Sequence, residues 1–180
     1  MFSDPETIVP YFGLTDGNVV ADFGAGSGHY SIALAKRVGN NGRVYAIDIQ
    51  KDLLSRLETE VKQAGGARNI HIIWGDVEKS GGTKLADSSV DFVLMANTLF
   101  QSTARYSIAL EARRILRPGG QVAVIDWADS FNNLGPIAEQ IASPDEVKVI
   151  FAQAGFVFDK DFPAGEHHYG LLFRKQDKVQ

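Results

Sequence analysis

The sequence predicts an α/β fold built on an open, mostly parallel sheet, with helices on both faces and an antiparallel hairpin strand near the C-terminal end. Three observations predict it. Short β-branched apolar runs alternate with amphipathic helical patterns, which implies parallel strands joined by crossover helices. The strand runs are continuously apolar rather than alternating, as expected where helices cover both faces of a sheet. The last two strand runs are separated only by a short segment holding Pro163 and Gly165, too short for a crossover helix, so they must pair as a hairpin.

The first strand, Val19 to Phe23, follows an N-terminal segment of 18 residues and runs directly into a glycine loop and a helix. Arg43 to Ile47 is the second strand. Behind it Leu53, Leu54, Leu57 and Val61 fall at helical spacing, Glu58 stands four residues before Lys62, and Gly65-Gly66 supplies the stop. Ile70 to Trp74 and Val90 to Met95 are the third and fourth strands. Ile108, Ala112, Ile115 and Leu116 then make a buried helical stripe, which Pro118-Gly119-Gly120 breaks before the fifth strand, Gln121 to Asp126. Ser143-Pro144-Asp145-Glu146 reads as a helix start, with a Ser cap, Pro in the first turn and Glu placed to complete a capping box. Val147, Ile150, Phe151 and Ala154 face the core, and Gly155 ends that helix. Phe156 to Phe162 and Tyr169 to Arg174 complete the hairpin, within residues 155–176. Lys79 to Asp87 and Ala128 to Ile141 are the loops expected to vary. No repeat or low-complexity linker interrupts the pattern, so residues 1–180 are expected to form one domain, with 1–18 as a short N-terminal segment.

Composition narrows the function. At 44% hydrophobic and 22% charged, the chain has the profile of an ordinary globular enzyme. A formal charge of -4 and the lack of any long Lys/Arg run argue against a phosphate-tracking stripe, and no DNA partner is expected. With no cysteine there are no disulfides, thiolate metal sites or cysteine nucleophiles, which accords with a reducing, cytoplasmic compartment. The four histidines are scattered, and no metal site is expected. Met1-Phe2-Ser3-Asp4-Pro5-Glu6 is not an export signal, and no segment approaches the roughly 18 apolar residues of a membrane span. Neither export nor membrane insertion is expected.

The chemistry concentrates at the carboxyl ends of the strands. Val20-Ala21-Asp22-Phe23-Gly24-Ala25-Gly26-Ser27-Gly28-His29-Tyr30 is an apolar strand feeding Asp-x-Gly-x-Gly-x-Gly and then a helix. Glycines let the backbone turn tightly and approach a ligand, and helix N-terminal amides supply donors. The dinucleotide fingerprint wants a glycine where His29 stands, and no Gly-Lys-Ser/Thr follows for a phosphate loop. Val44-Tyr45-Ala46-Ile47-Asp48 ends in an acid 20 residues after Gly28, where a carboxylate can accept from both hydroxyls of a ribose. Trp74-Gly75-Asp76-Val77 puts a further acid on the same edge, and Met95-Ala96-Asn97-Thr98 follows the fourth strand. Asp22, Asp48 and Asp76 suit a cationic nucleoside ligand better than an anionic pyrophosphate.

In this ordered combination the chain resembles the class I S-adenosylmethionine-dependent methyltransferases, which have a Rossmann-like fold. The resemblance implies S-adenosylmethionine as cofactor, with Asp22, Gly24, Gly26, Ser27 and Gly28 forming the first motif and the loop around Gly24 and Gly26 accommodating the methionine part. It further implies Asp48 at the ribose, Ile49 against the adenine, Asp76 accepting from the adenine amine beside Val77, and Asn97 near the amino acid end. Arg114-Ile115-Leu116-Arg117-Pro118-Gly119-Gly120, Ile125-Asp126-Trp127, Ala154-Gly155-Phe156 and His168-Tyr169-Gly170-Leu171 are similar to the ubiquinone/menaquinone-biosynthesis and arsenite methyltransferase relatives. Arsenite enzymes rely on cysteines, so arsenic chemistry is disfavoured.

Each residue also has a plainer role open to it. Asp22 can orient loop amides, Asp48 and Asp76 can cap helices, and Asn97 can be a polar loop residue. Asp126-Trp127 and one of His167 and His168 can border the acceptor, or Asp126 can fix a loop while Trp127 stacks. His29 and Tyr30 open the first helix and can flank the cofactor, while His71 belongs to a strand surface. Asn97-Thr98-Leu99-Phe100 lacks the prolines of the nucleobase amino-methylating motif. A methyl group on a sulfonium is already activated, so alignment and water exclusion suffice, and no catalytic side chain is assigned. Methyl transfer to a small molecule is the first expectation. A protein or RNA acceptor at an open site, given the short N-terminal segment, and a non-catalytic binding module are the alternatives.

Overall fold

The computed structural model describes residues 4–63, 65–130 and 135–177. Its strands are β1 (Val19–Phe23), β2 (Arg43–Asp48), β3 (Ile70–Trp74), β4 (Val90–Ala96), β5 (Leu116–Trp127), β6 (Phe156–Pro163) and β7 (His168–Lys175). They form one sheet in the order β3-β2-β1-β4-β5-β7-β6. Every pairing is parallel except those of β7 with β5 and β6. The hairpin therefore inserts its second strand beside β5 and leaves β6 on the edge.

Among the described residues, α1 (Pro5–Ile8) precedes β1, and α2 (His29–Val38), α3 (Lys51–Gln63), α4 (Arg105–Ile115) and α5 (Pro144–Gln153) lie between strands. One core cluster joins Phe23, Val93, Val124 and Leu171 of the sheet to Ile108 and Ala112 of α4 and Val147 and Phe151 of α5. The other joins Val20, Leu94 and Ile125 to Ile8 of α1 and Leu34 and Val38 of α2. The alternate residues of each strand thus face opposite helical layers, which is why the strands read as unbroken apolar runs.

The N-terminal segment is more than a lead-in. Ile8, Val9, Phe12 and Leu14 are each no more than 3% exposed. Phe12 stacks on Phe92 at 5.1 Å and meets Phe162 edge-on at 5.5 Å. Burying such a side chain contributes about 2–3 kcal/mol, so this short segment closes one core face.

Two local expectations are corrected. Pro118-Gly119-Gly120 does not separate a helix from a strand: α4 stops at Ile115, and Leu116 is already extended and opens β5. Leu116 pairs with Val90 and Gln121 with Phe92, so the intervening residues bulge out of the ladder, which a proline without an N–H and a left-handed Gly119 (φ 71°) permit. The capping box of α5 is half formed. The Ser143 hydroxyl accepts from the Glu146 N–H at 3.2 Å, but the Glu146 carboxylate turns outward to Arg105 at 2.6 Å. Within the second expected variable loop, residues 131–134 lie outside the described residues. Among the described residues no helix is long and apolar enough to cross a membrane.

In this strand order β1 has β2 on one side and β4 on the other. The chain reverses its direction of travel across the sheet there, and a crevice opens beyond the carboxyl ends of β1 and β4.

Candidate cofactor and active site

The glycine loop begins where β1 ends. The amides of Gly24 and Ala25 both donate to the Ile47 carbonyl, at 2.9 and 3.0 Å, which folds the loop over the end of β2. Gly24, Gly26 and Gly28 all have positive φ, and each serves a different end. A Cβ on Gly24 would strike the Thr98 hydroxyl at 2.8 Å, and one on Gly28 would strike Leu57 Cγ at 2.6 Å. On Gly26 the nearest atom would be 4.0 Å away, so the missing side chain faces open space. Gly28 is buried at the N-cap of α2 and permits close packing of the loop on α3.

Asp48, 6% exposed at the end of β2, accepts from the Gly26 N–H at 2.9 Å and the Gln50 N–H at 2.8 Å, one on each oxygen. A carboxylate has about four acceptor positions, so each oxygen retains capacity. Ile49 beside it is 58% exposed at the cleft mouth. Asp76 accepts from the Glu78 N–H at 3.0 Å and pairs with the exposed Lys79 at 3.0 Å. The Lys79 hydrogen bond, foremost, holds its pKa below the usual carboxylate value.

Asp22 is 1% exposed and accepts from the Ser31 hydroxyl at 2.6 Å. Burial pushes its pKa up to about 7 against the Ser31 bond, with the Asp48 charge adding to the rise. Asn97 adopts the left-handed region, φ 55°, with its N–H on the Ile125 carbonyl at 2.8 Å. Its Oδ1 is buried without a hydrogen-bond partner, a costly arrangement at a residue whose backbone is also strained.

Two clefts meet at this edge. The first, about 310 Å³, is lined by Gly24, Gly26, Asp48, Ile49, Asp76, Val77 and Asn97. The second, about 350 Å³, shares Gly24, Gly26 and Asn97 with it and adds Asp22 and Ser27. Gly28 lines neither. Residues not singled out from the sequence also contribute. Thr98 lines the first cleft and donates to the Phe23 carbonyl at 2.9 Å, while Gln101 lines both and donates to the Asn97 carbonyl at 2.8 Å. Their signal was position, in the same loop as Asn97 after the fourth strand. Pro5 of α1 lines the second cleft beside His29 and Tyr30, so the N-terminal segment forms one of its walls.

The hairpin turn lies on the glycine-loop edge. The Ala128 N–H donates to the His167 carbonyl at 2.8 Å and Trp127 pairs with His168, yet residues 163–168 line neither cleft. Asp126 is fully buried and accepts from the N–H groups of Leu99 at 2.8 Å and Phe100 at 3.2 Å, so it fixes the loop that carries Asn97. Burial pushes its pKa up to about 6 in spite of these bonds. His167 contacts Asp129 at 2.7 Å. The His168 ring packs against Trp127 at 4.3 Å, tilted by 38°, with both ring nitrogens buried and without a hydrogen-bond partner.

Comparison with known proteins places this geometry. A family model described as a methyltransferase domain matches residues 14–155. The chain is 32% identical to a demethylmenaquinone methyltransferase of Bacillus velezensis, over 62% of this chain and 46% of that protein. It is 32% identical to an arsenite methyltransferase of Aquipseudomonas alcaligenes, over 69% of this chain and 39% of that one. It thus spans less than half the length of these two curated relatives. Among solved structures, a SAM-dependent methyltransferase from Aquifex aeolicus superposes with a TM-score of 0.86 at 31% identity, covering 96% of this chain and 90% of that one. The chain belongs to the S-adenosylmethionine-dependent methyltransferase domain family.

Proposed function

We propose that the chain transfers the methyl group of S-adenosylmethionine to a small-molecule acceptor. The observation that carries this reading is the pair of clefts joined at Gly24, Gly26 and Asn97, one flanked by acids and an exposed apolar side chain, the other reaching the N-terminal wall. The residues fit the cofactor chemically. Asp48 has acceptor capacity for the ribose hydroxyls, Ile49 offers an apolar face for the base, and Asp76 accepts from the adenine amine beside Val77. At the other end, Asn97 Oδ1 is an acceptor lacking a donor, which the cofactor's ammonium group would supply. Asp22 and the loop from Gly24 through Ser27 to Gly28 set the shape and charge of that end.

The bound cofactor supplies a methyl group already activated by its sulfonium. The chain's task is to hold the acceptor in line and exclude water, for which no nucleophilic side chain is needed. Pro5 and Tyr30 add walls to the second cleft, which supports a small acceptor rather than a protein or RNA. No cysteine is present to hold trivalent arsenic, which disfavours arsenic as the acceptor. The cysteine-free composition accords with reaction in the cytoplasm.

Calorimetry with S-adenosylmethionine, followed by isotopic methyl transfer to small-molecule, protein and RNA fractions of a lysate, tests the reading. Binding and label in the small-molecule fraction are expected. Label confined to protein or RNA moves the acceptor class, and binding without any label supports a non-catalytic module.

A further inference from the structure

Glu111 lies midway along α4, outside both clefts and only 1% exposed. An isolated buried carboxylate would take up a proton, but this one is heavily hydrogen-bonded. Arg114 grips it through Nε and Nη2, both at 2.8 Å. The Gly81 N–H donates to it at 2.9 Å, the Thr83 N–H at 3.2 Å and the Thr83 hydroxyl at 2.6 Å. Desolvation, the largest single influence, pushes its pKa upward, and these five donors together hold it at about 2.

Every non-arginine donor belongs to the loop between β3 and β4. That loop folds back on itself: the Asp76 N–H donates to the Gly82 carbonyl at 3.2 Å, and the Gly82 N–H to the Lys79 carbonyl at 2.9 Å. The fold is tight at both glycines. A Cβ on Gly82 would lie 2.0 Å from the Asp76 carbonyl oxygen, and one on Gly75 would lie 2.6 Å from the Gly82 carbonyl oxygen. Gly82 therefore touches the backbone of Asp76 on one side, while its neighbours Gly81 and Thr83 are tied to Glu111. A displacement of the Glu111 carboxylate passes through one residue to Asp76.

We propose that Glu111 is the positioning residue for adenine selectivity, holding the loop of residues 75–83 so that the Asp76 carboxylate stays at the hydrogen-bonding edge of the base. This rests on Asp76 as the acceptor for the adenine amine. Glu111 touches no cofactor atom and acts only through the loop. A site built to receive an N–H rejects an analogue lacking it, provided its acceptor is held in place. Loosening the loop weakens the preferred ligand and leaves the rejected one nearly unchanged.

The test measures binding of S-adenosylhomocysteine and of its deaminated analogue, S-inosylhomocysteine, by calorimetry. Wild type is expected to favour the adenosine form by tenfold or more. Glu111→Gln, which removes the buried charge and leaves Arg114 paired only with Asp87, and Thr83→Val, which removes one hydroxyl at constant volume, should each lower that ratio at least threefold. The inosine affinity should change less than twofold. A ratio of affinities is independent of the folded fraction, so a general loss of stability does not move it. Hydrogen exchange should quicken at the Gly81 and Thr83 amides and stay at wild-type rates in β1 and β4. Asp76→Ala should flatten the ratio. If it does while both Glu111→Gln and Thr83→Val keep the wild-type ratio, the positioning role is overturned and the adenine assignment stands. If Asp76→Ala itself keeps the wild-type ratio, the adenine assignment falls, and the positioning role with it.

Discussion

Asp48 offers the sharpest perturbation, because its two oxygens already accept from Gly26 and Gln50 and, on the proposed reading, also receive a ribose. Asp48→Ala removes both kinds of bond at once. Two charge-assisted bonds to hydroxyls are worth roughly 2–4 kcal/mol in total, which raises the dissociation constant for S-adenosylmethionine about 30- to 700-fold. The two backbone N–H groups lose their acceptor but sit near solvent, so the stability loss is about 1–2 kcal/mol, or a Tm lower by roughly 2–8 °C for a chain of this size. A domain with the usual 5–15 kcal/mol or so of stability remains folded. Calorimetry gives the affinity and scanning calorimetry the Tm on one sample. A folded Asp48→Ala protein with the lower Tm and unchanged cofactor affinity would show that Asp48 serves only its own loop, and would refute the ribose assignment.

Asp22 has a folded pKa raised from 3.8 to about 7, so the stability linked to its proton is fully present below pH 3.8 and is lost as pH rises through about 7. Asp22→Asn should therefore gain stability over wild type as pH rises across that window, the two converging near its acid end; a gap independent of pH in denaturant titrations would sink the assignment. A cationic cofactor favours the anion, so its binding near pH 6.5 should release a proton in wild type and less in Asp22→Asn, as read by calorimetry in buffers of different ionisation enthalpy. Gly26→Val, at a position open to 4.0 Å, should cost only the roughly 1–2 kcal/mol of left-handed strain yet abolish cofactor binding. Retained binding would move the ligand elsewhere. Gly28→Ala should cost roughly 1–3 kcal/mol through the 2.6 Å approach to Leu57, and Leu57→Ala in the same chain should recover part of it. Additive losses would mean that the two do not touch. His168→Phe keeps a ring packed against Trp127 and removes two orphaned nitrogens, so Tm should rise by about 2–4 °C per kcal/mol regained. A lower Tm would show that the imidazole has a partner.

Much of the fold was legible because burial on both faces leaves a plain mark. Val19–Phe23 and Ile70–Trp74 coincide with the expected strands, and β4 extends only to Ala96. What escaped had a different physical origin. A Pro-Gly-Gly run reads as a stop, since nothing local distinguishes the end of an element from a bulge that a neighbouring strand spans. A helix of four residues followed by a 3₁₀ turn is too short to show a period, so Ile8, Val9 and Phe12 did not declare themselves as core. Motif spacing placed Gly28 in the loop, but only packing reveals that its missing Cβ faces Leu57. Glu111 reads as an ordinary helix-surface acid because its loop partners lie 28 to 30 residues earlier in the chain.

The sequence left the acids with two readings, loop caps or ligand contacts, and the bonds in the structure make these compatible. Asp48 accepts from Gly26 and Gln50, Asp76 from Glu78, and Asp126 from Leu99 and Phe100. Each carboxylate at or just beyond a strand end ties down amides of the segment near it, and Glu111 does the same from the helix behind. Two such bonds leave about two acceptor positions free on a carboxylate. An acid that is already fixed by its own loop loses little further freedom when a ligand arrives, so the affinity of the new bond is not spent on ordering. On the same reading the acceptor side needs no comparable fixed set, since a sulfonium methyl asks only for alignment and dryness, which many side-chain combinations provide. On the proposed reading, that difference accounts for a cofactor site written in acids and glycines at strand ends, whereas walls such as Pro5 and Tyr30 beside the glycine loop are brought together only in the folded chain.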